Sequence, residues 1–89
     1  MKFKIAETKT FQKEISKEHF KGIYRKITGY VYPLLRENPF FGPNIKRLKG
    51  SYSDFYRFRV GQYRIFYKII RETITVYIVN IEHRKDVYR

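Results

Sequence analysis

Apolar and polar residues alternate one by one in the segment DFYRFRVGQYRIFYKII, residues 54–70. Such alternation is typical of strands with one buried face, so the segment predicts two β-strands. The pattern breaks at Gly61-Gln62, and a two-residue loop with glycine first predicts a type II′ turn between antiparallel strands. The predicted core face of this hairpin consists of Tyr56, Phe58, Val60, Tyr63, Ile65, Tyr67 and Ile69.

The opposite face of the hairpin carries three arginines. The predicted turn places Arg59 directly across from Arg64, with Arg57 two residues away on the same face. Like charges at facing cross-strand positions, with Cβ atoms about 5 Å apart, destabilise a sheet. A fold that keeps these residues together therefore predicts a bound anion. The alternative is a solvated strand face without a ligand.

Helical patterns follow a short first strand, which the alternation of residues 2–6 predicts. Thr8 or Thr10 is expected to cap a helix that ends at about Lys17. A longer helix is predicted from there to Glu37, and Pro33 is expected to kink it or divide it. Its apolar stripe consists of Phe20, Ile23, Tyr24, Ile27, Val31, Leu34 and Leu35.

A last strand is predicted over residues 73–81, apolar on both sides and therefore central in the sheet. With Arg71-Glu72 as a two-residue turn, Val79 is expected to lie across from Arg64. The chain then leaves the sheet beside the arginines and brings three tail residues close to them: His83, Arg84 and Tyr88.

Together these elements predict one α+β domain over residues 1–89. The expected sheet is antiparallel with about four strands, and the order of elements along the chain is β-α-α-β-β-β. Because only one stripe of the helices is apolar, we expect an N-terminal helical hairpin packed on one face of the sheet. No internal repeat or linker divides the chain.

The charge of the chain narrows the choice of partner. It has 20 lysines and arginines against 8 acidic residues, a formal net charge of +12. Such an excess on a small domain indicates a polyanionic partner, although charge also serves solubility. No apolar run approaches the roughly 20 residues of a membrane span, so we expect no membrane partner. The absence of cysteine favours a reducing, cytoplasmic location.

The predicted arginine face suits an RNA phosphate. Arginine binds phosphate oxygens through two parallel hydrogen bonds and stays charged, while aromatic rings stack on unpaired bases. Phosphodiester cleavage needs charge stabilisation and in-line positioning, which arginines supply, and also proton transfer. Candidates for proton transfer are His83, Tyr88 or a lysine, and histidine is the residue type best suited near neutral pH.

Other kinds of catalytic site find little support in the sequence. The acidic residues form no ligand cluster, and His19 and His83 lack zinc-site spacing. There is no nucleophile elbow, phosphate loop or dinucleotide fingerprint. We therefore expect neither a metal nor another cofactor.

Two segments, LKGSYSDFYRFRVGQYRIFYKI and IEHRKDVYR, resemble the RelE/ParE superfamily of type II toxins. The shared pattern is a Leu-Lys-Gly, an arginine-bearing strand, a Gly-x-Tyr-Arg hairpin and a closing His-Arg-Lys-Asp-Val-Tyr. The order of elements also matches. RelE-type members enter the ribosomal A site and cleave mRNA there, with the RNA's own 2′-hydroxyl as nucleophile and without a metal. A cognate antitoxin neutralises them.

The resemblance implies a metal-independent endoribonuclease, an mRNA interferase that inhibits translation. Its implied partners are a cognate antitoxin protein, the ribosome and mRNA. The implied catalytic residues are Arg57, Arg59, Arg64, Arg84, Tyr88 and His83. The basic residues expected to contact RNA are Lys46, Arg47, Lys49, Lys68 and Lys85. The best-known members have lysines where this chain has arginines on the first hairpin strand, so the proton acceptor stays open.

Two other functions stay open as well. A ParE-like relative would inhibit DNA gyrase rather than cleave RNA, although such chains usually lack the terminal tyrosine and much of the basic set. A catalytically degenerate member would only bind its antitoxin or nucleic acid.

Overall fold

The computed structural model describes residues 2–84, and within them five strands form one sheet in the order β1-β5-β4-β3-β2. β1 runs parallel to β5, and the other neighbouring pairs are antiparallel. The strands are β1 (Lys4–Glu7), β2 (Ile45–Arg47), β3 (Phe55–Val60), β4 (Tyr63–Ile70) and β5 (Thr75–His83).

The expected α+β class is confirmed, and the sheet differs from the expected one in two details. It has five strands rather than about four, because the three residues of β2 pair with β3 although too few of them alternate to mark a strand. One pairing is parallel, because β1 lies beside β5, the last of four strands that alternate in direction, and β5 runs the same way as β1. The helices and three strands that connect the two are long enough for a parallel pairing.

The helical half begins as expected and then departs from one long helix. Helix α1 (Lys9–Ile15) is capped by Thr8, whose hydroxyl accepts from the Phe11 N–H at 3.1 Å. A 3₁₀ turn (Glu18–Phe20) follows, and Gly22 at φ 91° separates it from the next helix. The predicted start near residue 17 is therefore wrong, because the left-handed conformation that glycine adopts without strain interrupts the helix.

Pro33 does not divide the second helical segment. Helix α2 (Ile23–Lys26) continues through a π-helical turn (Ile27–Val31) directly into α3 (Tyr32–Glu37). Pro33 lies next to this turn, where the regular i→i−4 hydrogen bonding is already interrupted, so the missing N–H of proline does not end the helix. The widened turn adds one residue and rotates later side chains by about 100°. Tyr32 and Leu35 are therefore buried, whereas Leu34 is 43% exposed.

The core lies between the helices and one face of the sheet. Its buried side chains come from both layers: Phe11, Phe20, Ile27, Val31, Tyr32, Leu35, Phe58, Val60, Ile65, Tyr67, Val76, Ile78 and Ile81. None of the helices within residues 2–84 is long and apolar enough to cross a bilayer.

Glu7 connects β1 to the second helical segment. Its Oε2 accepts hydrogen bonds from the hydroxyls of Tyr24 and Tyr32, both at 2.7 Å. The hydrogen bond with Glu7 is the main reason that the pKa of Tyr24 rises to about 12, and burial raises the pKa of Tyr32 well above its ordinary value. This bond holds Tyr24 at the surface, where it is 40% exposed, so its predicted place in the core stripe is wrong.

The central hairpin forms as predicted. Arg59 pairs with Arg64, Phe58 with Ile65 and Val60 with Tyr63. Gly61 has φ 59° and Gln62 has no positive φ, as a type II′ turn requires. The alternation and the turn chemistry are local properties, and they are sufficient to fix this register.

The second turn differs from the predicted one. Four residues, 71–74, connect the strands, so that Ile70 pairs with Thr75. A bulge follows, because Tyr67 pairs with Ile78 while Phe66 pairs with Asn80, which leaves Val79 as the extra residue.

These two irregularities shift the register of β5 by three residues from the predicted one. Glu82, rather than Val79, lies across from Arg64, and His83 lies across from Tyr63. An odd shift also exchanges the two faces of a strand, so every side chain of β5 beyond the bulge points to the face opposite the predicted one.

Candidate functional site

One face of the sheet carries no helix in the part of the chain that the structure describes. We call it the outer face, because the buried side chains of β3, β4 and β5 pack with the helices on the other side. Pairing across the strands places on it Lys46, Phe55, Arg57, Arg59, Arg64, Phe66, Lys68, Asn80 and Glu82.

Three of these residues, Arg57, Arg59 and Arg64, form an arginine cluster. Arg59 faces Arg64 across the hairpin, and Arg57 has Lys46 as its partner on β2. Burial, followed by the nearby charges of Arg59 and Arg64, lowers the pKa of Arg57. Arg57 is therefore partly desolvated and close to two like charges, of which Arg59 is exposed.

Among the described residues no carboxylate oxygen lies within 4 Å of a guanidinium nitrogen of the arginine cluster. Ion pairs within 4 Å in residues 2–84 join Lys2 to Glu37 and Lys17 to Glu14, far from the cluster in sequence. The Nε of Arg57 is buried and has no hydrogen-bond partner there. A buried polar group left without a partner costs about 1–3 kcal/mol, so this position of Arg57 lowers the stability of the free chain.

Glu82 is the carboxylate that sequence reasoning did not place in the site. It is half-buried on β5 directly across from Arg64, so the two Cβ atoms are about 5 Å apart on the same face. No sequence signal marked Glu82, because its position depends on the bulge and on the length of the preceding turn.

His83 does not join the arginine cluster. Its ring lies 4.8 Å from that of Tyr63, which in turn contacts Phe20 of the helical layer at 5.9 Å. The histidine therefore lies on the helix side of the sheet, and its predicted position beside the arginines is wrong. The cause is the three-residue register shift.

The other predicted tail residues are only partly placed. The main-chain N–H of Arg84 donates to the Gln62 carbonyl at 2.7 Å, so the chain leaves the sheet beside the hairpin turn, as predicted. The side chain of Arg84 is exposed. Tyr88 and Lys85 lie outside the described residues.

The predicted RNA-contacting residues divide between the two faces. Lys46 lies beside Arg57 on the outer face, and Lys68 lies at its far end with Nζ 5.0 Å from the centre of the Phe55 ring. Arg47 lies on the helix side, where its Nε donates to the Ser53 carbonyl at 2.9 Å. Lys49 is exposed ahead of a 3₁₀ turn (Gly50–Tyr52).

An open groove of about 420 Å³ lies next to the arginine cluster on the outer face. We call it the aromatic groove; its lining residues are Leu48, Tyr52, Phe55, Phe66, Val79, Asn80 and Glu82. No sequence motif marks this groove, although the alternation of the hairpin puts Phe55 and Phe66 on the arginine face. Within residues 2–84 no three metal-ligating side chains come together.

Comparison with known proteins decides the family. The model of the ParE toxin of type II toxin–antitoxin systems, parDE, matches residues 8–88. The chain belongs to the ParE toxin family. The resemblance to the RelE/ParE superfamily, which the hairpin and tail motifs indicated, is thereby confirmed. No curated protein sequence matches this toxin.

Solved structures show the same fold. The toxin is similar to a chain of the RelBE2 toxin–antitoxin complex from Mycobacterium tuberculosis, with 23% identity, TM-score 0.79 and coverage of 94% and 100% of the two chains. It is similar to a chain of the RelB–RelE complex from Methanococcus jannaschii, with 29% identity, TM-score 0.69 and coverage of 93% and 94%. A variant of YafQ from E. coli has 13% identity, TM-score 0.70 and coverage of 98% and 99%.

Proposed function

We propose that this toxin is a ribosome-dependent endoribonuclease that cleaves mRNA in the ribosomal A site without a metal ion and so inhibits translation. The observation that carries the proposal is the arginine cluster, three guanidinium groups on an open sheet face with no carboxylate oxygen of the described residues within 4 Å. Guanidinium groups form strong, charge-assisted hydrogen bonds to phosphate oxygens. The similarity to chains from RelE-containing complexes supports the same conclusion.

The proposed reaction is an in-line attack of an RNA 2′-oxygen on the adjacent phosphorus. The O2′–P bond forms, the bond from phosphorus to O5′ breaks, and the products are a 2′,3′-cyclic phosphate and a 5′-hydroxyl. The arginine cluster binds the phosphate and stabilises the charge that grows on its oxygens in the transition state. These residues bind and orient the phosphate rather than transfer protons, because arginine stays protonated.

We assign Glu82 as the group that accepts the proton from the 2′-hydroxyl. It is a carboxylate on the same face as the arginine cluster and directly across from Arg64, so a phosphate held there would place the neighbouring hydroxyl within its reach. Lys46, beside Arg57, is the second choice. The departing O5′ takes its proton from water.

The proposed partners are a cognate antitoxin, the ribosome and mRNA. The family is defined by toxin–antitoxin pairs, and the similar chains from Mycobacterium tuberculosis and Methanococcus jannaschii are in toxin–antitoxin complexes. The net charge of +12 suits both an acidic antitoxin and the RNA of a ribosome.

Cleavage of mRNA during translation tests the proposal. Primer extension on a message translated in a purified system is expected to show cuts within codons for the wild-type toxin. Arg64→Ala is expected to lower the cleavage rate about 100-fold or more, since one preorganised transition-state donor contributes about 10²–10³.

Arg47→Ala is the matched control for that experiment. It removes the same side chain from the helix side of the sheet, and cleavage is expected to stay within a few-fold of wild type. If Arg64→Ala and Glu82→Gln both cleave as fast as wild type while folded, the site assignment is wrong. If the wild type cuts no message, the activity is wrong.

Inhibition of DNA gyrase is the second candidate function. One observation favours it: the family model that matches the chain is that of ParE rather than RelE. A supercoiling assay with purified gyrase, run beside the translation assay, separates the two. Inhibited supercoiling with intact mRNA would establish the gyrase function, whereas no effect in either assay would indicate a degenerate member.

A further inference from the structure

The aromatic groove is an unassigned surface beside the arginine cluster. We propose that it binds an unpaired nucleobase of single-stranded RNA while the arginine cluster holds a phosphate of the same strand. The proposal rests on the proposed function for the identity of the polymer. Base binding gives a role to Tyr52, Phe55 and Phe66, which take no part in the cleavage step.

The spacing of the sheet places rings and cations within one nucleotide of each other. Phe66 is the cross-strand partner of Arg57, and Phe55 lies two residues before Arg57 on the same face. Neighbouring strands are about 4.8 Å apart, and same-face residues along a strand about 6.7 Å apart. The aromatic groove therefore lies within the length of one nucleotide from a phosphate at the arginine cluster.

The rings of the groove offer a stacking surface. Tyr52 is 63% exposed, and its ring meets that of Phe55 edge to face at 6.2 Å, so a face of the tyrosine ring remains open. A 3₁₀ turn (Gly50–Tyr52) fixes the backbone of this tyrosine. Base stacking on such rings tolerates any base, since every base has a π-face.

The polar groups of the groove suit the edge of a base. Asn80 Oδ1 accepts from the Ile81 N–H at 2.9 Å, which fixes the amide and leaves its NH₂ group as a donor. Glu82, the proton acceptor of the proposed reaction, lies at the boundary with the arginine cluster, so the base edge is left to Asn80. Amide side chains read base edges by hydrogen bonding.

A nucleobase fits this groove better than an acidic peptide does. The groove is mostly apolar and carries the Glu82 carboxylate, which would repel an acidic side chain. The cations of the arginine cluster lie at one end of the groove, where a phosphate of the same strand would bind. A neutral planar ring attached to a phosphate therefore matches the charge distribution, whereas a row of carboxylates does not.

Abasic substitution in a short RNA tests the base contact separately from the phosphate contact. Single-stranded RNA oligomers, made with 2′-deoxy sugars at the central positions to prevent cleavage, carry one abasic site at each position in turn. Their affinity for the full chain is measured by fluorescence anisotropy. At one position the abasic site is expected to weaken binding to the wild type by roughly 5- to 100-fold, the range for stacking on one ring.

Two variants of the groove test the same base contact from the side of the protein. Tyr52→Ala removes an exposed ring, and Phe66→Leu removes a ring while it keeps apolar volume, so both are expected to fold, which thermal unfolding checks. Each is expected to bind the intact oligomer more weakly and to be insensitive to the abasic site. Phe41→Ala, which removes an 80% exposed ring outside the groove, is expected to behave as wild type.

Several results would overturn the proposal. They are wild-type binding that no abasic site weakens, full abasic sensitivity in Tyr52→Ala and Phe66→Leu, and no binding of the oligomer at all. If the groove variants lose binding to the antitoxin but bind RNA as wild type does, the groove is instead a protein interface. Abasic sensitivity without cleavage on ribosomes would refute the proposed function and leave this inference standing.

Discussion

Arg57 lies between Lys46 and Phe66 on the outer face, and its buried Nε has no hydrogen-bond partner within residues 2–84. Its guanidinium also lies close enough to Arg59 and Arg64 for their charges to lower its pKa. Both features destabilise the folded chain in the absence of a ligand. A residue that binds an anion in this position therefore lowers the stability of the free protein.

Replacement of Arg57 by methionine tests whether this arginine lowers the stability of the free protein. Arg57→Met keeps a long, flexible side chain and removes the unsatisfied donor and one of the clustered charges. We expect the free energy of unfolding, measured with urea, to rise by about 1 kcal/mol, while RNA binding falls.

Arg47→Met is the matched control for stability. The Nε of Arg47 donates to the Ser53 carbonyl and its guanidinium lies over the Tyr56 ring, so methionine there removes favourable contacts and is expected to lower stability slightly. A lower free energy of unfolding for Arg57→Met than for wild type would contradict the argument.

The turns that flank β4 show how differently two turns of one sheet can be encoded. The Gly61-Gln62 turn follows from its two residues, because glycine at the first position adopts φ 59° without strain. The turn over residues 71–74 contains Ile74 at φ 49°, a conformation that a β-branched residue rarely adopts. Packing of β5 between β1 and β4 supplies the stabilisation that holds this residue there.

Two glycine replacements separate backbone strain from steric clash. A Cβ atom at Gly61 or at Gly29 would meet no other atom within 4 Å, but only Gly61 has a positive φ. Gly61→Ala is therefore expected to lower the free energy of unfolding by about 1 kcal/mol, and Gly29→Ala to raise it by about 0.5–1 kcal/mol. Urea unfolding measures both, and equal effects of the two would refute strain as the cause.

At the scale of the whole molecule, the helices and the arginines occupy opposite faces of one sheet. The helical layer buries one face, and the uncovered face collects cations from β2, β3 and β4. An excess of positive charge over the whole domain attracts any polyanion, whereas the proposed phosphate site is confined to the arginine cluster on the outer face.

The salt dependence of RNA binding distinguishes these two contributions. If the arginine cluster contacts about three phosphates, the slope of log K against log salt concentration is expected to be about −2 for single-stranded RNA. Arg64→Ala is expected to reduce the magnitude of this slope by about 0.7. Anisotropy titrations at several salt concentrations measure it, and an unchanged slope would mean that Arg64 contacts no phosphate.

The sequence by itself determined the parts of this protein that depend on local chemistry. Alternation and a glycine-first turn fixed the central hairpin, with Arg59 facing Arg64, and the capping hydroxyl of Thr8 fixed the start of α1. The same motifs were sufficient to identify the family. In each case the interacting residues are neighbours in sequence or are joined by a two-residue turn.

The tertiary structure decided which residues of β5 accompany the arginines. One bulge and two additional turn residues brought Glu82 to the outer face and moved His83 to the helix side. Such irregularities leave little trace in the sequence, because their stability comes from packing with strands and helices distant along the chain. Local pattern therefore placed the arginine cluster, and long-range packing alone placed the carboxylate and the aromatic groove beside it.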